Sequence, residues 1–348
     1  MEKKIINEYE SMRVLLTILV IIGHCQYDRI LTPYGGIDFL FPGSSGLAAF
    51  RALHLTVKAI YSFHMAAFFA LSGALFRRSH ERRPGLSLRA LCVAKARRLL
   101  IPFAAVTLFY VFPLKLASRY WFFSTSLAKD VAAGQLLLQG NTHLWFLPTL
   151  FFAFIAVYLL VKARLPVPAI GALLFAAHAV SGFIPIKAVS YILEYSLWFY
   201  TGFVFETHRE KVNESVTKRN FIIAAALFIA VFAADSRLRT TLVRVPAGIV
   251  LALLGTYITY ALSYCLSKKR LCKTKIYKGL VRNSFGLYLY SDPINYVLLA
   301  ISASCFGKFA FATNAGVVFM FILRFAVTSV GAYRVSELVR KLRIRYLV

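Results

Sequence analysis

Acidic residues are scarce in this chain. Its 348 residues include 14 Asp and Glu against 41 Lys and Arg, and charged residues of both signs make up only 16% of the sequence. In soluble proteins about a quarter of all residues are charged, because the surface must be hydrated. The low charge content therefore excludes an ordinary soluble globular protein.

Cysteine is also sparse. The five cysteines are scattered along the chain without a CxxC pair. A disulfide framework or a thiolate metal site needs paired or regularly spaced cysteines, so neither is predicted. Cys25 follows an apolar stretch, as the modified cysteine of a lipoprotein does. The residue before it is His24 rather than a small residue, which favours an uncleaved first membrane span.

Long hydrophobic runs, by contrast, are abundant. Hydrophobic residues account for 59% of the chain, and the mean hydropathy is +0.67. Apolar blocks of about 20 residues that alternate with basic clusters are typical of polytopic membrane proteins. We predict an all-α membrane bundle of about ten transmembrane helices, with residues 1–348 in a single domain. The predicted spans are residues 12–30, 59–76, 99–117, 143–161, 167–184, 188–206, 220–235, 243–265, 280–301 and 310–333.

The distribution of Lys and Arg predicts the orientation in the membrane. With the N-terminus inside, the inner segments hold 29 of the 41 basic residues and the outer segments hold 11. Because cytoplasmic loops are enriched in Lys and Arg, both termini are predicted to be cytoplasmic. The same rule accounts for the net charge of +27. No nucleic-acid partner is expected, since no stacking platform or folded basic module is visible.

Two predicted outer connections, residues 31–58 and 118–142, are longer than turns. The first contains RALHLTVK at positions 51–58, which predicts a helix lying in the membrane interface. The second contains Trp121 and Phe122, which are predicted to belong to an aromatic belt. Long ordered loops are often functional. Each connection is therefore either a surface lid or a rim that faces an acceptor.

The first apolar stretch, MRVLLTILVIIGHC, contains two ionisable side chains, Arg13 and His24. They are eleven positions apart, so in a helix they lie on nearly the same face, roughly 16 Å apart along the axis. Ionisable groups inside a membrane are costly and mark functional sites. His24 is either a base or a buried histidine satisfied by a neighbouring helix. Arg13 either contacts substrate or anchors the inner boundary.

Five segments carry a more specific pattern. They are Arg13 through His24, SFHMAAFFALSGALF at 62–76, KARRLLIP at 95–102, HLWFLPTLFF at 143–152 and NSFGLYLYSDPINY at 283–296. Their residues and their order resemble the acyltransferase-3 family, integral-membrane enzymes that O-acylate mainly extracytoplasmic carbohydrates. The family often has a histidine where this chain has Ser291, followed by Asp292. This departure leaves the acceptor and the local polar network open.

The resemblance implies a membrane O-acyltransferase that moves an acyl group, expected to be acetyl, from cytoplasmic acyl-CoA to a hydroxyl of an extracytoplasmic glycan or glycolipid. Such a reaction needs a base for the hydroxyl, an acid for the leaving thiolate and a positive group near the developing oxyanion. His24 and Arg13 are the expected catalytic residues, His24 as the base and Arg13 through contact with substrate or coenzyme A. No permanently bound cofactor is expected. The expected location is a bacterial cytoplasmic membrane.

Residues 77–98 form a predicted basic cytoplasmic loop with eight Lys and Arg residues. Anionic lipid explains part of this charge. Coenzyme A is abundant only on the cytoplasmic side, and a guanidinium holds a phosphate in a bidentate manner. We therefore predict that Lys95, Arg97 and Arg98 bind acyl-CoA.

Further polar residues are predicted to line the substrate path. His64 and His143 begin spans on the outer side and should lie near His24. They come from separate helices without a carboxylate placed beside them, so a hydrogen-bonding or acceptor-binding cluster is favoured over a metal site. Close helix packing remains an alternative for Ser72, and an interface position for Trp145. The predicted lining set is His64, Ser72, His143, Trp145, Tyr288, Ser291 and Asp292.

Asp292 and Arg324 both fall near the middle of the membrane in the last two predicted spans. Neither charge is tolerable there alone, so we expect an ion pair or a wet cavity. Such charges also suit a transporter of a small polar molecule, which is the rival function. An enzyme needs a basic cleft for coenzyme A on the inner face, whereas a transporter does not. The sequence makes no prediction of oligomeric state.

Overall fold

The chain folds as a bundle of helices. A computed structural model describes residues 7–120, 126–235, 241–344 and 346–347. Trp121 and Phe122, the predicted belt aromatics, lie outside the described residues. The helices are α1 (Asn7–His24), α2 (Ala48–Tyr61), α3 (His64–Glu81), α4 (Leu88–Ala117), α5 (127–136), α6 (His143–Lys162), α7 (Val167–Phe183), α8 (Lys187–Thr207), α9 (Arg209–Ser215), α10 (Lys218–Asp235), α11 (Thr241–Ser267), α12 (Lys275–Ala312) and α13 (Asn314–Lys341).

Several of these helices are long and apolar enough to cross a membrane. In the described part of the chain there are five such stretches, or six if α9 and α10, which meet at 90°, form one bent span. The predicted class, a helical membrane protein, is confirmed. The count of about ten spans and the cytoplasmic placement of both termini remain predictions. The five stretches are Ala48–Glu81, Leu88–Ala117, His143–Lys162, Val245–Ser267 and Asn314–Lys341.

Helix α1 packs against α3, α11 and α12 and so lies in the interior of the bundle. It was predicted to continue to residue 30, but it ends at His24. The chain then forms an antiparallel hairpin, β1 (Arg29–Thr32) and β2 (Gly35–Asp38). Gly35 has a φ of +99°, a conformation that glycine adopts without steric cost, and this closes the tight turn. His24 therefore stands at a helix end beneath the hairpin.

Helices α3 and α8 cross at closely approaching backbones. A Cβ atom on Gly73 would collide with the carbonyl oxygen of Phe199, and one on Gly202 would collide with the carbonyl oxygen of Ala70. Small residues allow membrane helices this close approach. Gly73 therefore serves close helix packing, whereas its neighbour Ser72, for which packing was one alternative, lines a cavity.

Helix α4 contains two π-helical stretches, residues 96–100 and 107–111. Each lies just before a proline, Pro102 or Pro113. A proline lacks the N–H group and clashes with the carbonyl four residues earlier, so a wider turn at that carbonyl relieves both problems. The helix already begins at Leu88, and α3 continues to Glu81. The predicted basic loop 77–98 is thereby reduced to a connection at residues 82–87.

The two long connections have structure of their own. RALHLTVK lies within α2, as predicted for a helix, while its position at an interface remains a prediction. In the second connection, α5 is joined to the bundle through the fully buried Lys115. The Lys115 ammonium donates to Oε1 of Gln135 at 3.0 Å and to the carbonyl of Asn141 at 2.8 Å. These bonds hold residues 135–141 against the helices.

Candidate active site

One face of α1 lines two neighbouring cavities. Arg13 and Thr17 line the first, while Val20 and His24 line the second. These four residues follow one another at intervals of four, three and four positions, so they lie on the same side of the helix, as the sequence pattern predicts. The side chain of Arg13 is thus directed to one end of the bundle interior and that of His24 to the other.

The larger cavity, which we call the histidine cavity, has a volume of about 560 Å³. Its walls come from α1, the β1–β2 hairpin and the starts of α3, α6 and α8. The floor is the part of α12 that carries Tyr288 and Asp292. All three predicted histidines, His24, His64 and His143, line it.

The carboxylate of Asp292 lies between two of these histidines. Its Oδ1 is 3.3 Å from Nδ1 of His24, and its Oδ2 is 3.6 Å from Nδ1 of His143. Two phenols also donate to it, Tyr27 to Oδ1 at 2.6 Å and Tyr296 to Oδ2 at 2.5 Å. The side chain of Asp292 is only 3% exposed. A buried carboxylate with this many polar neighbours is suited to remain charged.

His24 and His143 differ in whether a ring nitrogen remains free. His143 directs Nε2 to the carbonyl of Leu289 at 3.0 Å, so both of its ring nitrogens face protein groups. His24 uses Nδ1 toward Asp292, and no bond to its Nε2 is present among the described residues. This contact is electrostatic and lacks hydrogen-bond geometry. It turns Nδ1 toward the carboxylate and leaves Nε2 free to meet a substrate. His24 is therefore the histidine of this pair with a nitrogen available for substrate.

His64, the first residue of α3, also lines the histidine cavity. Its Nδ1 lies 2.9 Å from the carbonyl of Ile60, and its ring stacks on Tyr61 with centroids 4.9 Å apart. The carbonyl accepts a hydrogen bond from the Nδ1–H group, which leaves Nε2 as an acceptor. Among the described residues, no group of three or more His, Cys, Asp and Glu is arranged to hold a metal ion.

The second cavity, which we call the arginine cavity, has a volume of about 130 Å³. Arg13, Lys95 and Arg98 supply its positive charge. The Lys95 ammonium lies 3.5 Å from the ring centroid of Phe154, and Arg13 donates to the carbonyl of Val281 at 3.3 Å. Nε of Arg13 is buried and has no hydrogen-bond partner among the residues that the structure describes. Such a guanidinium retains capacity for an anionic ligand.

Met65 and Tyr288 line both cavities, so the two spaces are neighbours and these two side chains lie at the boundary between them. Tyr288 is held in place because its hydroxyl donates to the carbonyl of His143 at 2.6 Å. A basic pocket and a histidine-lined pocket thus approach each other through the interior of the bundle. This arrangement allows one substrate to enter from each side.

A family model described as an acyltransferase domain, acyltransferase-3, matches residues 6–333, nearly the whole chain. The chain belongs to this family. It is accordingly an acyltransferase of groups other than aminoacyl groups, and an integral membrane protein. No curated protein and no solved structure shows a significant match to the chain.

Two predicted site residues of the acyltransferase lie outside both cavities. Arg97 and Arg98 are both exposed, but only Arg98 lines the arginine cavity. Ser291 is fully buried without lining either cavity, and its hydroxyl has no hydrogen-bond partner in the described part of the chain. Adjacent residues on a helix point about 100° apart, so Arg98 and Asp292 face the cavities while these two neighbours do not.

Of the two alternatives predicted for Asp292 and Arg324, an ion pair or a wet cavity, the ion pair is wrong, and Asp292 lines the histidine cavity instead. Arg324 is 1% exposed, and its Nη1 donates to Oδ1 of Asp28 at 3.0 Å. Its Nη2 donates to the carbonyl of His24 at 3.0 Å. Because α1 ends at His24, the following turn brings the Asp28 carboxylate back to the guanidinium. Arg324 thus neutralises a carboxylate and satisfies a free carbonyl at the end of α1.

Sequence reasoning missed several residues of the site. Tyr296 follows Asp292 by four positions, a helical spacing that places both on one face and could have identified it. Tyr27 lies in the turn after α1 and had no such signal. Tyr191 and Tyr195 line the histidine cavity beside Trp145, which was predicted. They lie on α8, which no sequence motif marked.

Proposed function

We propose that this acyltransferase moves an acyl group from acyl-CoA, held at the arginine cavity, to a hydroxyl held in the histidine cavity. The observation that carries the proposal is the meeting of the two cavities at Met65 and Tyr288, with His24 and Asp292 just beyond. The donor is cytoplasmic acetyl-CoA, and the acceptor is an extracytoplasmic glycan or glycolipid. The enzyme works in a bacterial cytoplasmic membrane, through about ten spans with both termini inside.

On the donor side, Arg13, Lys95 and Arg98 bind the phosphates and the polar arm of coenzyme A. Guanidinium groups match phosphate oxygens in geometry and charge. Arg13 lies roughly 16 Å along the helix axis from His24, given the rise of about 1.5 Å per residue. The two side chains therefore act on different parts of the donor, and Arg13 belongs to coenzyme A binding rather than to the reacting carbonyl. The thioester end extends past Met65 and Tyr288.

In the chemical step, Nε2 of His24 takes the proton of the acceptor hydroxyl. The hydroxyl oxygen attacks the thioester carbonyl, a C–O bond forms, and the C–S bond breaks. The imidazolium of His24 returns the proton to the thiolate, which leaves as the thiol of coenzyme A. Asp292 keeps the imidazole in one orientation and stabilises its charged form. Tyr27, Tyr296 and His143 hold Asp292 in place.

A transporter of a small polar molecule is the competing function. It has no need for a positively charged pocket that adjoins a histidine-lined one. The presence of Arg13, Lys95 and Arg98 around one pocket supports the enzyme. The pairing of Arg324 with Asp28 also supports the enzyme. The transporter alternative was based on Asp292 and Arg324 as intramembrane charges, and the charge of Arg324 is neutralised by Asp28.

The test is a transfer assay with the purified full chain in proteoliposomes. Labelled acetyl-CoA is supplied to the face that bears Arg98, and glycans are supplied to the other face. Release of the thiol and transfer of label to glycan should rise together in the parent protein and fall together in His24→Ala. Thiol release that never depends on an acceptor, or uptake of an intact solute without acylation, would contradict the proposal.

A further inference from the structure

The histidine cavity has an aromatic wall that acyl transfer itself does not require. Lys187, Tyr191 and Tyr195 are four residues apart along α8, so they share one face, and all three line the cavity. Trp145 packs against this face. Its ring centroid lies 4.5 Å from that of Tyr191 and 5.0 Å from that of Tyr195. Such a surface offers flat apolar faces beside polar groups.

The charged groups around the cavity are predominantly positive. Lys187 is exposed and has no ion pair within the described residues. Arg29, on the hairpin, also lines the cavity, with its Nε 3.3 Å from Oδ2 of Asp38. Among the described lining residues the only carboxylate is Asp292, which is already engaged by His24, His143 and two phenols. A cleft lined by one sign of charge concentrates ligands of the opposite sign.

We infer that the acceptor is an acidic glycan, one that carries a carboxylate or a phosphate. This inference rests on the proposed function, because it concerns the acceptor site of the same reaction. The face of one sugar ring packs on Trp145 and Tyr191. The anionic group of the glycan is bound by Lys187, with a smaller contribution from Arg29 because Asp38 shares its charge. The reacting hydroxyl then points toward His24.

Equilibrium binding to the full chain in nanodiscs, without any acyl-CoA, tests the inference. The probes are a tetrasaccharide containing glucuronate, its carboxyl-reduced neutral counterpart and a phosphate-bearing tetrasaccharide of the same length. At least one acidic probe should bind about tenfold more tightly than the neutral one, the size of one charge-assisted hydrogen bond. The difference should shrink with added salt. Which acidic probe binds better distinguishes carboxylate from phosphate.

Lys187→Gln should reduce the ratio of acidic to neutral affinity to near one, and Lys187→Arg should retain it. The matched control is Lys129→Gln, which removes an exposed lysine of α5 that does not line the cavity, and it should keep the ratio. Equal affinity of the parent for all three probes would overturn the inference. So would a ratio that survives Lys187→Gln.

Because no acyl group moves in this assay, the two proposals fail separately. Acidic glycans that bind preferentially but are never acylated from acetyl-CoA would overturn the proposed function and leave the acidic site standing. If neutral and acidic glycans bind with equal affinity and both are acylated, the acidic site is overturned and the acyl transfer stands.

Discussion

Nδ1 of His24 lies 3.3 Å from Oδ1 of Asp292, although the two residues come from α1 and α12, near opposite ends of the chain. The contact assigns separate tasks to the two nitrogens of the imidazole. One faces the carboxylate, and the other is left for the substrate. The phenols of Tyr27 and Tyr296 then fix the carboxylate itself.

Asp292→Asn should lower kcat by about 10²-fold or more, because the amide neither fixes the tautomer of His24 nor stabilises its charged form. The KM for acyl-CoA should change little, since Asp292 lies in the other cavity. The measurement is steady-state transfer from acetyl-CoA in proteoliposomes. Ser291→Ala is the matched control and should stay within about twofold of the parent, because its hydroxyl has no partner to lose. Comparable losses in both variants would contradict the assignment.

His24→Ala should reduce acyl transfer by about 10²–10⁴-fold, the usual contribution of a general base. Thermal unfolding in detergent should remain close to that of the parent, since the Arg324 bond to position 24 involves the backbone carbonyl. His178→Ala removes a histidine that contacts the carbonyl of Glu194 and lines neither cavity. It should retain transfer. Near-normal transfer by His24→Ala would rule out His24 as the base.

Arg98→Gln should raise the KM for acyl-CoA about tenfold, because a charge-assisted phosphate contact is lost. The neighbouring variant Arg97→Gln should have a much smaller effect, since Arg97 does not line the arginine cavity. Increasing ionic strength should weaken donor binding in the parent more than in Arg98→Gln. Equal effects of the two variants would indicate general attraction by a basic surface.

Arg324 and Asp28 should show strong energetic coupling in a double-mutant cycle. Removing one partner of a buried ion pair leaves an uncompensated charge, which costs about 3–5 kcal/mol, whereas removing both relieves the conflict. Arg324→Gln and Asp28→Asn should therefore each lower the free energy of unfolding. The sum of these two losses should exceed the loss measured for the double variant. The control cycle pairs Arg324→Gln with Asp292→Asn, for which the structure contains no ion pair. Stronger coupling in the control cycle than in the first would contradict the observed pairing.

Met65→Ala should allow longer acyl groups to be transferred. Met65 lines both cavities at their junction, so its removal widens the passage beside Tyr288. Rates with butyryl-CoA relative to acetyl-CoA should rise severalfold. Met12→Ala provides a matched loss of a buried methionine away from both cavities, and it should leave the ratio unchanged. An unchanged ratio in Met65→Ala would place the passage elsewhere.

The sequence alone was sufficient for the class of protein and for the positions of most helices. Apolar runs identify spans because every backbone polar group in a bilayer must be satisfied within a helix. The sequence also predicted that Arg13 and His24 share one face of α1, since residues eleven positions apart lie on nearly the same side of a regular helix. These properties depend on residues close together in the chain. A local pattern can therefore express them.

Only the tertiary structure decided which distant polar groups meet. Asp292 faces His24 and not Arg324, because α1 ends at His24 and the turn after it places Asp28 against the guanidinium. Arg98 rather than Arg97 reaches the cavity because of how α4 packs. A buried charge takes whichever partner the packing of helices brings within a few ångströms, and sequence spacing carries no information about that choice.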